Sequence, residues 1–282
     1  MLVIHRSCSA AVVALASWIC LSATSAGQSL EGWTLQAPDH TIQLLNAALN
    51  QDGGWRFTIQ NVSAKPIANL LIGSRQGQNE QLSGLDAFSS GAGAIQPGET
   101  TYIDLNPRSN TGELLLEAIV WSDGSHTGNQ KYLARIEDQM ISAALETKRD
   151  ADILAGAADS GADSAESVVS QIGTTFPQTP SDAVDTLRGI DLPGVPRGYL
   201  DQHLGGESHG LVAGLTRVRQ AVLSDISDQV KLASSTPTKS KVRATAIMHA
   251  QTQAFADLSA KYRALNAAQM TTLVGFIHGG ER

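Results

Sequence analysis

Leu114-Leu115-Leu116-Glu117-Ala118-Ile119-Val120-Trp121-Ser122-Asp123-Gly124-Ser125 decides the fold, together with the twenty or so residues after it. Leu114 to Trp121 reads as a strong strand. Asp123-Gly124 then closes that strand, because glycine enters positive φ without steric cost. Gly128-Asn129 can cap a helix start. Beyond it Leu133, Ile136, Met140, Ala144 and Leu145 recur at helical spacing, continuing to Ile153 and Leu154. The period therefore changes near position 125. The chain is expected to be α+β and segregated, with an N-terminal antiparallel β-sandwich over residues 30–124 and a mostly helical bundle over 129–282.

Working outward toward the N-terminus, Thr41-Ile42-Gln43-Leu44-Leu45-Asn46 is a candidate strand and Asp52-Gly53-Gly54 a turn. Trp55, Phe57 and Ile59 alternate with Arg56, Thr58 and Gln60, which puts three large apolar groups on one face. Further strands are expected from Ile67 to Gly73, Thr100 to Leu105 and Leu114 to Trp121. The Gly/Ser/Gln-rich stretch from Ser74 to Ala94 is long for a hairpin connection and is expected to be a loop, either mobile or used in binding.

Two stretches carry a resemblance. Asn61-x-Ser63-x-Lys65-Pro66-Ile67, followed about 30 residues later by Ile95-x-Pro97-Gly98-Glu99-Thr100, is similar to bacterial exported immunoglobulin-like or fibronectin-III-like modules. The likeness covers residues 30–124. It implies a sandwich architecture and a spacer or binding role. No catalytic residue comes with it, and the Cys–Trp–Cys core of antibody domains is absent.

Working toward the C-terminus, short helices are expected over Ser164 to Ile172 and Asp182 to Leu187. Residues 173–210 are expected to be an irregular region, with Gly173 to Ser181 a loop and Gly189 to Gly210, carrying Pro193 and Pro196, irregular. Leu211, Leu215, Val218, Val222, Ile226 and Val230 predict a long helix. Thr236-Pro237 reads as N-cap and first position of another, with Phe255, Leu258, Tyr262, Leu265, Gln269, Thr272 and Phe276 on one stripe. The short connection predicts an antiparallel αα-hairpin over 211–277. Its heptad-like stripe suggests self-association or a protein partner through the C-terminal helices.

Composition sets the setting. Residues 1–26 have the order of a secretory signal: His5 and Arg6, an apolar run from Cys8 to Leu21, then Ser22-Ala23-Thr24-Ser25-Ala26. Cleavage is expected after Ala26, with export to the periplasm or the medium. Both cysteines, Cys8 and Cys20, lie in this leader. The exported chain then has no disulfide, no thiolate nucleophile and no Cys-ligated zinc. The formal charge is −7, and loss of the +1 of Arg6 gives −8, which argues against nucleic acid as a partner. No later segment reaches the roughly 20 apolar residues of a membrane helix.

Charge is uneven. Asp150, Asp152, Asp159, Asp163, Glu166, Asp182 and Asp185 form an acidic stretch, and Lys231, Lys239, Lys241 and Arg243 a basic one. They read as solvated faces, as two segments that dock on each other, or, for the basic stretch, as a contact for an anionic surface or ligand.

Candidate chemistry is confined to one loop. Gly206-Glu207-Ser208-His209-Gly210 fits G-x-S-x-G, in which a strained turn presents a serine nucleophile. The preceding Tyr199-Leu200-Asp201-Gln202-His203-Leu204-Gly205 is not the buried strand such an elbow needs. Ser208 and His209 are thus weak catalytic candidates, and a Ser or His helix cap is the plainer reading. His203, Glu207 and His209 are weak metal-ligand candidates, since imidazole and carboxylate suit zinc but the spacing matches no helical zinc motif. No cofactor is implied. The expected function is a non-enzymatic exported envelope protein for protein interaction or a structural role. The alternative is an exported serine or metal-assisted hydrolase centred on residues 206–210.

Overall fold

The computed structural model describes residues 28–30, 32–37, 40–76, 79–86, 88, 93–107, 110–161, 164–204, 209–234 and 241–279. The leader, Glu207, Ser208 and the Thr236-Pro237 start signal lie outside these residues. Among the described residues nine strands come first: β1 (Gln28–Leu30), β2 (Trp33–Gln36), β3 (Ile42–Leu49), β4 (Trp55–Asn61), β5 (Ile67–Gln76), β6 (Asn79–Asp86), β7 (Thr100–Leu105), β8 (Gly112–Trp121) and β9 (His126–Gly128). Six helices among these residues follow: α1 (Gln130–Ser160), α2 (Ala165–Ile172), α3 (Pro180–Leu187), α4 (Arg197–Leu204), α5 (His209–Ser234) and α6 (Lys241–Gly279). The chain is α+β, and its period changes where the sequence says it should. Asn129 caps α1, its Oδ1 accepting from Lys131 N at 3.0 Å.

The strands form two sheets. One is ordered β3-β4-β7; the other is ordered β1-β2-β8-β5-β6, with β9 also on β8. Trp55, Phe57 and Ile59 all point inward, as their alternation requires. Trp33 is fully buried and meets Trp55 and Phe57 edge-on at 5.6 and 5.0 Å. Residues of both sheets share this core, Ile42 and Ile103 from one and Leu70, Ile72 and Leu114 from the other.

The expectation of purely antiparallel sheets is corrected at one place. β2 runs parallel to β8, Trp33 beside Gly112 through Gln36 beside Leu115. β9 occupies the rest of that edge antiparallel, opposite Ala118 to Val120. Two short segments from opposite ends of the β region thus share one edge of a ten-residue strand.

The larger sheet is covered on both faces. Every residue from Ile67 to Ser74 is buried. Leu70 and Ile72 face the smaller sheet, while Leu71, Ala118 and Val120 join Leu133, Ile136 and Met140 of α1 in a second core. Burial on both faces is why these strands read as unbroken apolar runs. The same fact corrects the loop expected over Ser74 to Ala94, because β6 occupies Asn79–Asp86 and pairs with β5 along its length. Leu82 packs toward the helices and Leu85 toward the smaller sheet, so β6 carries no two-residue alternation to recognise.

The irregular stretch expected over 189–210 is also corrected, since it contains α4 and the start of α5. Leu200 and Leu204, one helical turn apart, are both buried and hold α4 against the bundle. The α5 stripe is buried from Leu211 to Ile226, and the α6 stripe from Phe255 to Phe276 is buried except for the partly buried Leu265. Both helices pack chiefly on α1 rather than on each other.

Numbering rises together across α1 and α5, where Gly214 lies against Gln139 and Ser142 and Arg219 meets Glu146. These two helices are therefore parallel. It falls across α1 and α6, where Asn266 donates to Ala144 O and Ser259 to Ala151 O, so α6 is antiparallel to α1. A parallel pair needs its connection to travel back the length of α1, about 46 Å at 1.5 Å per residue. The segment carrying α2, α3 and α4 makes that return.

Candidate functional site

Two polar assemblies are built on α1. Asp138, Ser142, Glu146 and Asp150 follow one another at steps of four, so they fall on one line of the helix. All four are buried, in a helix whose apolar face would be expected to fill the interior.

The first assembly joins α1 to α4. His203 Nδ1 lies 2.9 Å from Asp138 Oδ1, and its Nε2 lies 3.8 Å from Glu137 Oε1. The Tyr199 ring stacks on the imidazole with centroids 4.5 Å apart. The three side chains retain only 22, 12 and 14% of their surface, for His203, Asp138 and Glu137 in turn. The hydrogen bond to Asp138 raises the His203 pKa against the opposing effect of burial, helped by the charge of Glu137. Burial raises the Glu137 pKa above the ordinary carboxylate value, and the charges of His203 and His126 oppose it. The ring of His126 itself lies tilted against that of Phe276, centroids 4.3 Å apart.

The second assembly joins α1 to α5. Glu146 Oε1 accepts from Arg219 Nε at 2.8 Å and from Arg149 Nη2 at 2.7 Å. Arg149 Nη2 also donates to Asp150 Oδ1 and to Ile172 O, and Arg219 Nη1 donates to Thr175 O at 2.7 Å. The carboxylates of Glu146 and Asp150 expose no surface, and Arg219 exposes 4%. Burial, reinforced by repulsion from Glu146, pushes the Asp150 pKa up to about 8, against the pull of Arg149 and Arg219.

That displacement has a pH signature. A carboxyl whose folded pKa exceeds its unfolded value stabilises the fold fully below the unfolded pKa, near 3.8. The contribution is lost as pH rises toward about 8. Over that window the unfolding free energy should fall by on the order of 1 kcal/mol per pH unit from this group. Urea unfolding of wild type and Asp150→Asn from pH 4 to 8 checks it, and the variant should gain relative to wild type as pH rises. A constant difference between the two curves would remove Asp150 as the titrating group.

Of the sequence candidates, His203 turns toward α1 and is fixed there by Asp138 and Glu137. His209 opens α5 and is exposed. Glu207 and Ser208 lie outside the described residues. Among the described residues no group of three or more His, Cys, Asp or Glu has the geometry of a metal site. The sequence does not single out Glu137, Asp138, Glu146, Arg149, Asp150 and Arg219 as site residues. For Asp138, Glu146 and Asp150 the signal is the four-residue polar line of α1 set within its apolar periodicity; Glu137, Arg149 and Arg219 lie off that line.

Asp152 pairs with Lys148, Asp182 caps α3 with Thr179, and Asp185 pairs with Arg188, so these acids are engaged locally. The basic side chains at 231, 239, 241 and 243 lie outside the described residues, and with them the expected docking of the two charged stretches. No helix among the described residues is long and apolar enough to cross a membrane. Comparison with protein-family models, with curated proteins and with solved structures finds no match.

Proposed function

We propose that the chain is a non-enzymatic exported envelope protein, in which an immunoglobulin-like or fibronectin-III-like sandwich is joined to a helical bundle for protein interaction. The strand arrangement supports the sandwich reading. β4 lies between β3 and β7, and β5 lies between β6 and β8, so successive strand pairs alternate between two facing sheets as in Greek-key sandwiches. β9 then takes the place of a final strand and runs straight into α1.

One observation carries the interaction reading: the outer face of β3-β4-β7 is left open, while the larger sheet is covered on both sides. Asn46, Thr58 and Tyr102 form one cross-strand row on it, and Ala48, Arg56 and Asp104 the next. Tyr102 is 56% exposed, with the Arg56 guanidinium 4.3 Å from its ring centroid. Leu45 and Leu49 stand exposed beside these rows. Tyrosine and arginine are among the residues enriched at protein interfaces. The C-terminal stripe, by contrast, is occupied by α1, which moves the expected contact from the helices to the sheet.

The test is light scattering on the chain purified from the exported fraction, with its intact mass measured. The mass should correspond to a chain beginning at Gly27. Association should appear across the micromolar range and weaken at least tenfold in the Leu49→Asp/Tyr102→Asp variant. A monomeric chain, together with no discrete adduct from a photoreactive residue at position 102 in the intact envelope, would overturn the reading.

A further inference from the structure

We infer that the cleft between α1 and the segment joining α3 to α4 binds a short apolar peptide and takes its terminal carboxylate on Arg149 and Lys148. Lys148, Asp152 and Gly156 follow one another at steps of four along α1, and Arg149, Ile153 and Ala157 form the adjacent line, so these two lines make one wall. The facing wall is Gly189-Ile190-Asp191, with Gln171 of α2. The cavity between them has a volume of about 770 Å³, within the range of ligand sites. Gly189, Ile190 and Asp191 also line a second cavity of about 400 Å³ that reaches Arg197 and Leu200 of α4. Two cavities in series suit an elongated ligand.

Arg149 is the fixed point of the cleft. Its Nη2 donates to Glu146 Oε1, Asp150 Oδ1 and Ile172 O at 2.7, 2.9 and 2.8 Å. Those are its hydrogen bonds among the described residues, so the guanidinium is clamped at one nitrogen and Nη1 is left for an incoming oxygen. The side chain keeps 21% of its surface. A guanidinium already held in place loses little freedom when a carboxylate arrives. Lys148 is paired with Asp152 at 2.7 Å, and that pair stands open to water. Opening such a pair costs little. A zwitterion replaces both halves of it, its carboxylate taking Lys148 and its ammonium taking Asp152 or the facing Asp191. Between these ends Ile153, Ala157 and Ile190 offer apolar contact to side chains. Asp152, Asp191 and Asp201 line the same two cavities, so a phosphate dianion meets repulsion that a zwitterion does not. The inference goes beyond the sheet-face reading and shares no residue with it.

Titration of the full exported chain with trileucine, followed by amide resonances and by calorimetry, tests the inference. One saturable site is expected. The C-terminal amide and the N-acetyl form of trileucine should each bind about tenfold more weakly to the same wild-type protein, because each lacks one charge. Gly156→Leu should abolish binding. A Cβ at Gly156 meets nothing within 4 Å, so the added side chain fills the cleft and leaves α1 undisturbed. The inference is overturned if trileucine does not saturate, if either capped form binds as tightly as the free peptide, if inorganic phosphate displaces it, or if Gly156→Leu retains the affinity.

Discussion

Replacing Arg219 by Met should lower the unfolding free energy by about 3–5 kcal/mol, measured by urea unfolding at neutral pH. Arg219 is 4% exposed and supplies one of the two charged donors on Glu146 Oε1. Its removal leaves a fully buried carboxylate with Arg149 alone. The loss is large because the desolvation of Glu146 persists after its partner has gone. The double variant Glu146→Leu/Arg219→Met discriminates this from simple loss of packing. It removes both charges together and should recover most of the stability, as buried ion pairs replaced by apolar groups commonly do. If the double variant is as unstable as the single one or worse, the ion pair itself contributes the stability and the desolvation account is wrong.

The second large effect is expected at the crossing of α1 and α5. A Cβ on Gly214 would overlap Gln139 O and Ser142 Oγ, and one on Gly210 would overlap Arg135 O. Helix propensity alone favours alanine over glycine by about 1 kcal/mol. Contact with backbone on the neighbouring helix reverses the sign, because the two axes must separate and Arg219 loses its reach to Glu146. Gly214→Ala should therefore cost about 2 kcal/mol or more, at the upper end of overpacking effects. Gly156 on α1 is the internal control, since it is exposed and a Cβ there meets nothing within 4 Å. Gly156→Ala should stabilise by up to about 1 kcal/mol. Opposite signs at two helical glycines, read as midpoint shifts in one unfolding series, would establish the close crossing. Equal stabilisation at both would refute it.

Much of the architecture is legible in residues that face one environment. Trp55, Phe57 and Ile59 alternate because β4 has an open side, and the α5 and α6 stripes repeat because each helix presents one face to the interior. Legibility fails where an element is covered on more than one side. β6 packs Leu82 one way and Leu85 the other, so its period vanishes. α4 sits between prolines and glycines that suggest a loop, yet Leu200 and Leu204 are enough to seat one short helix on a preformed bundle. For the site, sequence reasoning found His203 but looked for its partners within the same loop. Those partners, Glu137 and Asp138, stand about 65 residues earlier, and separation of that kind carries no local signal.

The amino-acid order by itself determined the class of the chain, the change from strands to helices near position 125, the inward faces of β4, α5 and α6, and the cap that starts α1. These follow from short-range periodicity and turn chemistry, which depend only on neighbours in the chain. The tertiary structure alone decided that β2 joins β8 in parallel, that α5 runs alongside α1 in the same direction, and that His203, Asp138 and Glu137 meet. Those outcomes depend on which distant surfaces exclude water together, and no local pattern records that choice.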